Sequence, residues 1–532
     1  MSLKLFNSLS RSLEEFKPLQ PGKVSMYVCG PTVYDSLHLG HARFMIAFDA
    51  IRRYLQYRGF TVRYVMNFTD VDDKIINRAN AEHRPWQDIT GTYIREYHEV
   101  AQALNVAPAD VFPKASEHFP EIIAMTEELI RRGHAYVVDG DVWFNVPSYP
   151  PYGKLSQRKL EDQQTGAGGR DLVQADKKRD PHDFALWKKA KPSEPHWPSP
   201  WGEGRPGWHI ECSCMTLKHL GPKFDLHGGG MDLKFPHHEN ELAQSGAAGH
   251  AFASYWLHNG LVNSAKVKAD GSLEAEKMSK SLGNFKTAKG LLKPFGGVYD
   301  PMAVRLFLLS THYRSDILLQ VNSIDEATAK LTRLRTALEN GRRVLQNGSV
   351  PASDKLGSLA AAAQTARSQF EAAMDDDFNT ALAQAPLFDL VTKLNAAVAS
   401  LPGVSGADAQ AVKTGLQTLE TLLETLGIAT EWNGPFGRKA DAAPKSATAT
   451  TNAGAATAAA DLDAAIATEL RQLEIDSVGA AGHIDQLLSL RNQARKAKKF
   501  TLADKVRDGL RRLGYEIEDL PGNLSVARRK NS

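Results

Sequence analysis

Residues 24–55, VSMYVCGPTVYDSLHLGHARFMIAFDAIRRYL, change hydrophobic period partway along, and that change decides the fold. Val24, Met26 and Val28 alternate with smaller or polar residues as a strand does, and Gly30 and Pro31 break the run. Phe44, Ile46, Ala47, Ile51, Tyr54 and Leu55 then recur at helical spacing. A strand that feeds a helix through a short loop is the unit of a doubly wound parallel sheet, where ligands sit at the carboxyl ends of strands beside helix N-termini. His38, Leu39, Gly40 and His41 fall at that place. Imidazoles flanking a glycine can donate to an anion while the glycine lets a ligand approach the backbone, so a nucleotide phosphate is the expected ligand. Taken alone, the same four residues also read as a helix cap.

Outward from this stretch, residues 59–67 are β-branched and aromatic enough for a second strand, ending at Thr69 and Asp70, which are expected to face the crevice beside His38. Residues 87–132 read as helices, and 135–145 as a hairpin turning at Asp139 and Gly140. A Gly- and charge-rich run at 161–180 reads as a mobile loop. Residues 224–227 form a short strand followed by Gly228, Gly229 and Gly230, which call for close backbone approach or positive φ, with Asp232 beyond them able to accept from ribose hydroxyls. Pro236 suits the first position of the next helix. On that helix His237 and Glu241 share a face, and His238 points about a quarter-turn away. Such a pair is more often a surface interaction than a metal site, but two cysteines elsewhere in the chain strengthen the metal reading.

The chain of 532 residues is too long for one core and should form about three or four domains. Its 42% hydrophobic and 23% charged residues exclude a disordered protein. Only Cys29, Cys212 and Cys214 occur, so a disulfide framework is excluded and a reducing, cytoplasmic setting is expected. No segment has the length of a signal peptide core or a membrane span. The net charge of +3 conceals a basic end, since residues 481–532 hold 12 Lys and Arg against 6 Asp and Glu, a candidate polyanion contact. Residues 315–430 are Ala- and Leu-rich with helical periodicity. Residues 437–460 lack large apolar side chains and read as a linker. Beyond them come a helix pair at 484–499 and 502–513, a short strand at 515–519 and a basic end.

PTVYDSLHLGHAR, residues 31–43, resembles the first signature of class I aminoacyl-tRNA synthetases, and Lys277, Met278, Ser279, Lys280 and Ser281 match their second signature letter for letter. With Cys29 just ahead of the first motif, the nearest likeness is to the cysteinyl-tRNA synthetase family. The resemblance implies an α/β fold: a Rossmann-type catalytic domain at 1–115 and 221–314, a connective insertion at 116–220, a helical bundle at 315–436 and a basic anticodon-binding module at 463–532, while the linker at 437–462, read from composition, is where the chain departs most from the family pattern. It implies L-cysteine, ATP with Mg²⁺ and tRNA(Cys) as substrates, and a monomer. His38, His41, Lys277 and Lys280 would be catalytic; Gly40, Gly229, Asp232 and Lys280 would hold ATP; Gly30, Thr69 and Trp208 would meet the amino acid. Arg495, Asp504 and Asp519 match positions that read the anticodon. The family pattern selects Cys212 over Cys214, so that Cys29, Cys212, His237 and Glu241 make a mixed sulfur, nitrogen and oxygen set suited to one Zn²⁺. Two other readings are an ATP-dependent ligase joining cysteine to a small amino sugar, which shares these motifs but lacks an anticodon module, and a nonenzymatic RNA-binding relative, in which the signatures would have decayed.

Overall fold

The computed structural model describes residues 2–157, 177–192, 194–267, 273–277, 287–320, 322–347, 356–399 and 401–430, and, nearer the C-terminus, residues 491, 503–504, 506–507, 515–520 and 524–529. The chain divides into two units, Met1–Ala440 and Asp441–Ser532.

The first unit opens with an antiparallel hairpin of β1 (Lys4–Asn7) and β2 (Ser12–Glu15), followed by β3 (Lys23–Val28), α1 (Leu39–Tyr57) and β4 (Thr61–Met66). α2 (Asp73–Glu82), α3 (Trp86–Ala103) and α4 (Phe119–Arg131) lead into a four-stranded antiparallel sheet, β5 (Ala135–Val138), β6 (Asp141–Phe144), β7 (Phe184–Lys189) and β8 (Gly204–Pro206). The chain returns through α5 (Trp208–Leu220) to β9 (Lys223–Gly230), α6 (Glu239–Ala247) and β10 (Phe252–Asn259). A small sheet of β11 (Val262–Val267), β12 (Leu273–Lys277) and β13 (Ile317–Leu319) is interrupted by α7 (Ala288–Leu291) and α8 (Pro301–Leu308). Four long helices close the unit: α9 (Ser323–Gln346), α10 (Gly357–Asp375), α11 (Thr380–Val398) and α12 (Gly406–Thr425). In the second unit β14 (Tyr515–Leu520) pairs antiparallel with β15 (Leu524–Arg529).

The central sheet has the order β10, β9, β3, β4, and every pair in it is parallel. Strand order therefore runs one way from β3 to β4 and the other way from β9 to β10, and the reversal falls between β3 and β9. Loops leave the sheet in opposite directions there, opening a crevice at the carboxyl ends of the strands. Cys29 stands at that edge, its N–H donating to Gly228 O at 3.0 Å.

One apolar core runs from Phe48 and Ile51 of α1 through Met302 and Leu306 of α8 to Leu331 and Leu334 of α9 and Leu387 of α11. At its centre lies a buried ion pair. Arg305 of α8 is bonded to Asp49 of α1 and donates to Leu426 O at 2.8 Å and Leu104 O at 2.9 Å. Burying these charges is tolerable because both are paired and further hydrogen-bonded. Burial would raise the Asp49 pKa, but Arg305 and Arg53 bring it below the ordinary carboxylate value.

Gly228, Gly229 and Gly230 extend β9 beyond His227, and none has positive φ. They are needed for close approach: a Cβ on Gly228 would lie 2.4 Å from the Phe48 ring, and one on Gly229 2.7 Å from that of His238. Pro236 is the first residue with helical dihedrals after the extended Phe235, the position expected for it. It follows a cis peptide in the turn Lys234–His238, Phe235 is extended, and α6 starts at Glu239. The Asp70 carboxylate accepts from Ser116 N at 3.0 Å and Ser116 Oγ at 2.5 Å. Arg528 and Arg529 of the basic end lie on β15, opposite Glu516 and Tyr515, and Lys530 lies outside the described residues. The loop at 161–180 lies outside the described residues except for 177–180, and residues 437–460 lie wholly outside them.

Candidate metal and nucleotide site

Burial at the switch point is nearly complete. Cys29 follows β3, Cys212 lies on α5, His237 on the turn before α6 and Glu241 on α6, and one ligand atom from each lies within 4.8 Å of the others. Cys29 Sγ is 3.3 Å from Glu241 Oε1, and His237 Nε2 is 3.1 Å from the same oxygen. His237 Nδ1 meets His209 Nδ1 at 3.0 Å, which leaves Nε2 facing the cluster, and Trp208 stacks on the His237 ring with centroids 4.2 Å apart. Cys214, two residues along α5, faces away toward Glu121 O and Met125 Sδ. Residues two apart on a helix diverge by about 200°.

A second set overlaps the first: Cys29, His227, His238 and Glu241 also lie within 4.8 Å of one another. His227 Nε2 is 3.1 Å from Glu241 Oε2, and His238 Nε2 is 4.0 Å from Glu241 Oε1. Sequence reasoning missed His227 and set His238 a quarter-turn from His237 without using its i,i+3 spacing to Glu241. The available signal was the alternation in β9, which turns His227 to the same edge as Cys29.

The electrostatics of the cluster suit a cation. Burial raises the Cys29 and Cys212 pKa values and brings that of Glu241 up to about 7, while burial lowers those of His227 and His238 to about 3. Thiols, neutral imidazoles and a carboxyl group converge, and the described ion-pair contacts of Glu241 come only from histidines. A divalent ion would supply the missing positive charge and favour thiolate over thiol, so the donor set fits a metal.

Beside this cluster α1 begins. His38 is its N-cap, His41 N donates to His38 Nδ1 at 3.3 Å, and His38 N donates to His41 Nδ1 at 3.2 Å. The rings stack with centroids 3.8 Å apart. Because the His41 Nδ1 accepts the His38 N–H, the neutral His41 ring carries its proton on Nε2. Burial, aided by the neighbouring charges of His38 and Lys74, holds the His41 pKa well below its usual value and the ring neutral. Gly40 is required here, since a Cβ would lie 2.8 Å from the His38 ring.

Gly30 and Thr69 lie together: Gly30 N donates to Asn67 Oδ1 at 2.9 Å, and Asn67 Nδ2 donates to Thr69 Oγ1 at 3.4 Å. A Cβ on Gly30 would fall 1.7 Å from Asn67 O. Asp232 is exposed on the turn Met231–Leu233, directly after β9. Lys277 ends β12, but its side chain, Lys280 and Arg495 lie outside the described residues, as does the side chain of Asp519. Asp504 is exposed and pairs with Arg507 at 3.0 Å.

The fold and the paired histidines at its switch point define a class I aminoacyl-tRNA synthetase. A family model described as the tRNA synthetases class I (C) catalytic domain matches residues 15–329, and one described as the DALR domain matches 369–430, within α10 to α12 and the turn that follows. The cysteine–tRNA ligase of Pelotomaculum thermopropionicum is 46% identical over 524 residues, covering 98% of each chain. That of Alkalilimnicola ehrlichii is 46% identical over 529 residues, covering 99% of this chain and all of the other. The chain belongs to the cysteine–tRNA ligase family. In fold it resembles the methionyl-tRNA synthetase of Mycobacterium tuberculosis (TM-score 0.54, 16% identity, 77% of this chain and 92% of that one). It also resembles a putative arginyl-tRNA synthetase of Campylobacter jejuni (TM-score 0.53, 12% identity, 78% and 94%). Membership makes the chain an enzyme with ATP, an amino acid and tRNA as substrates. Among the described residues no helix is long and apolar enough to cross a membrane.

Proposed function

We infer that the chain activates L-cysteine with ATP to cysteinyl-adenylate and transfers it to the 3′ adenosine of tRNA(Cys), acting as a cytoplasmic monomer. The observation that carries this reading is the buried set of Cys29, Cys212, His237 and Glu241 at the edge of the crevice that also holds His38 and His41. A purely structural metal site more typically draws its ligands in close pairs away from the chemistry. Zinc is the ion the donor set suits, and when bound it would lower the pKa of the substrate thiol and hold the soft thiolate in preference to a hydroxyl.

The chain's own residues do the rest. A carboxylate attacks the α-phosphate, and negative charge grows on that group and on departing pyrophosphate, so positioning and charge neutralisation carry catalysis and no general base is needed. His38 and His41 present imidazole donors, while Lys277 and Lys280 supply positive charge, with Mg²⁺ on the nucleotide. Gly40 and Gly229 admit the nucleotide close to the backbone, and Asp232 takes ribose hydroxyls. Trp208 fixes the His237 ring and, with Gly30 and Thr69, walls the amino-acid pocket. Arg495, Asp504 and Asp519 are assigned to the anticodon on the family's pattern. The amino-sugar ligase and nonenzymatic readings are not favoured, since the cysteine–tRNA ligases match the chain almost end to end. The test is pyrophosphate exchange with cysteine and with serine, followed by charging of a tRNA(Cys) transcript: cysteine-dependent exchange and charging are expected, and exchange without charging would favour the small-molecule ligase.

A further inference from the structure

The segment holding the second signature joins two described anchors, Lys277 and Thr287. Downstream it is fastened directly to the first signature: Thr287 bridges to His38, and Ala288 N donates to Leu37 O at 2.7 Å. Upstream the path to α1 is longer. β12 pairs with β11, and β11 with β13. Ahead of β13, Asp316 accepts from Leu261 N at 2.7 Å, and Gly260 N donates to Tyr313 O at 2.8 Å. A Cβ on Gly260 would sit 2.4 Å from Ser315 O, so backbone lies directly on backbone there. The turn at 312–316 is thus locked to the start of β11.

Arg43 of α1 reaches into the same turn. Its Nη2 donates to His312 O at 3.1 Å, to Tyr313 O at 3.3 Å and to Ser315 O. The residue is 1% exposed, and burial draws its pKa down to about 10, opposed by Asp316, so it stays charged at neutral pH. A buried charge is expensive, and an apolar side chain would fill the same space more cheaply, which argues that the carbonyl contacts serve geometry. Arg43 lies two residues beyond His41, about 200° round the helix. α1 therefore carries a phosphate donor on one side and this arm on the other.

We propose that Arg43 is a positioning residue for adenylate formation: it holds β11 and β12, and with them Lys277, at a fixed offset from His38 and His41. This rests on the adenylate-forming reading above. Donors from both signatures must meet one phosphoryl group, and a misplacement of about 1 Å costs up to ~10²-fold in rate. Arg43→Lys keeps the charge but places its one ammonium a bond nearer the helix than Nη2, the single nitrogen that donates to all three carbonyls. Asp316→Ala breaks the same bridge from its exposed far side.

Each variant should lower kcat for cysteine-dependent pyrophosphate exchange by about 10- to 100-fold. Cysteine affinity by calorimetry, metal content and the urea midpoint should stay near wild type. Because the two residues act in series, the double variant should be no slower than the worse single one. A full exchange rate in Arg43→Lys overturns the proposal. So does parallel loss of cysteine binding and stability, which would make Arg43 a packing residue, and so do multiplying effects in the double variant. Wild-type chain without cysteine-dependent exchange would instead overturn the functional reading beneath it.

Discussion

Cys212→Ser is expected to strip the metal from the folded chain and slow cysteine-dependent pyrophosphate exchange by about 10³-fold, the equivalent of several kcal/mol of lost charge stabilisation. Cys212 is the informative residue because Cys29 and Glu241 belong to both candidate ligand sets, whereas Cys212 and His237 belong to one and His227 and His238 to the other. The substitution keeps the volume nearly constant but exchanges a soft donor for a hard, weakly acidic one. Metal content and exchange rate are measured on the same preparation. Retained metal and unchanged exchange in Cys212→Ser, with loss of both in His238→Asn, would move the ion to the second set.

Lys280→Ala should lower the cysteine-dependent exchange rate by roughly 10²- to 10³-fold while cysteine affinity changes little. The lysine is assigned to charge that develops only as the α-phosphoryl group is attacked, so its loss falls on kcat rather than on ground-state binding of the amino acid. Lys280 lies outside the described residues, but the segment containing it ends at Thr287, which bridges to His38. Single-turnover exchange and equilibrium cysteine binding separate the two quantities. An exchange rate equal to wild type would remove Lys280 from the chemistry.

What could be read from the sequence was whatever rested on local period. The shift from alternation to helical spacing across residues 24–55 marked β3 and α1, and the hairpin turn at Asp139 and Gly140 follows from residues that accept positive φ, as both do here. The sheet β5 to β8 was legible only in its first hairpin. β8 is the three residues Gly204–Pro206, too short to show a period, and it is defined by pairing with β7. His238 was read only as a quarter-turn from His237, but at three residues from Glu241 on the same helical run it still comes within 4.0 Å of that carboxylate. Gly228 and Gly229 owe their identity to Phe48 and His238, residues brought to them only by the folded chain. Arg43 looked like an ordinary helix residue, and its partners are carbonyls more than 260 positions away along the chain.

Serine differs from cysteine by one atom of similar size, and a pocket that reads shape alone separates such a pair poorly. A metal held by Cys29, Cys212, His237 and Glu241 would instead read the substrate thiol directly. Co²⁺ substituted for the native metal makes this visible. The account predicts that the visible spectrum of the Co²⁺ enzyme changes when cysteine is added and stays unchanged with serine at the same concentration. A spectrum indifferent to cysteine would make the ion structural and contradict the account.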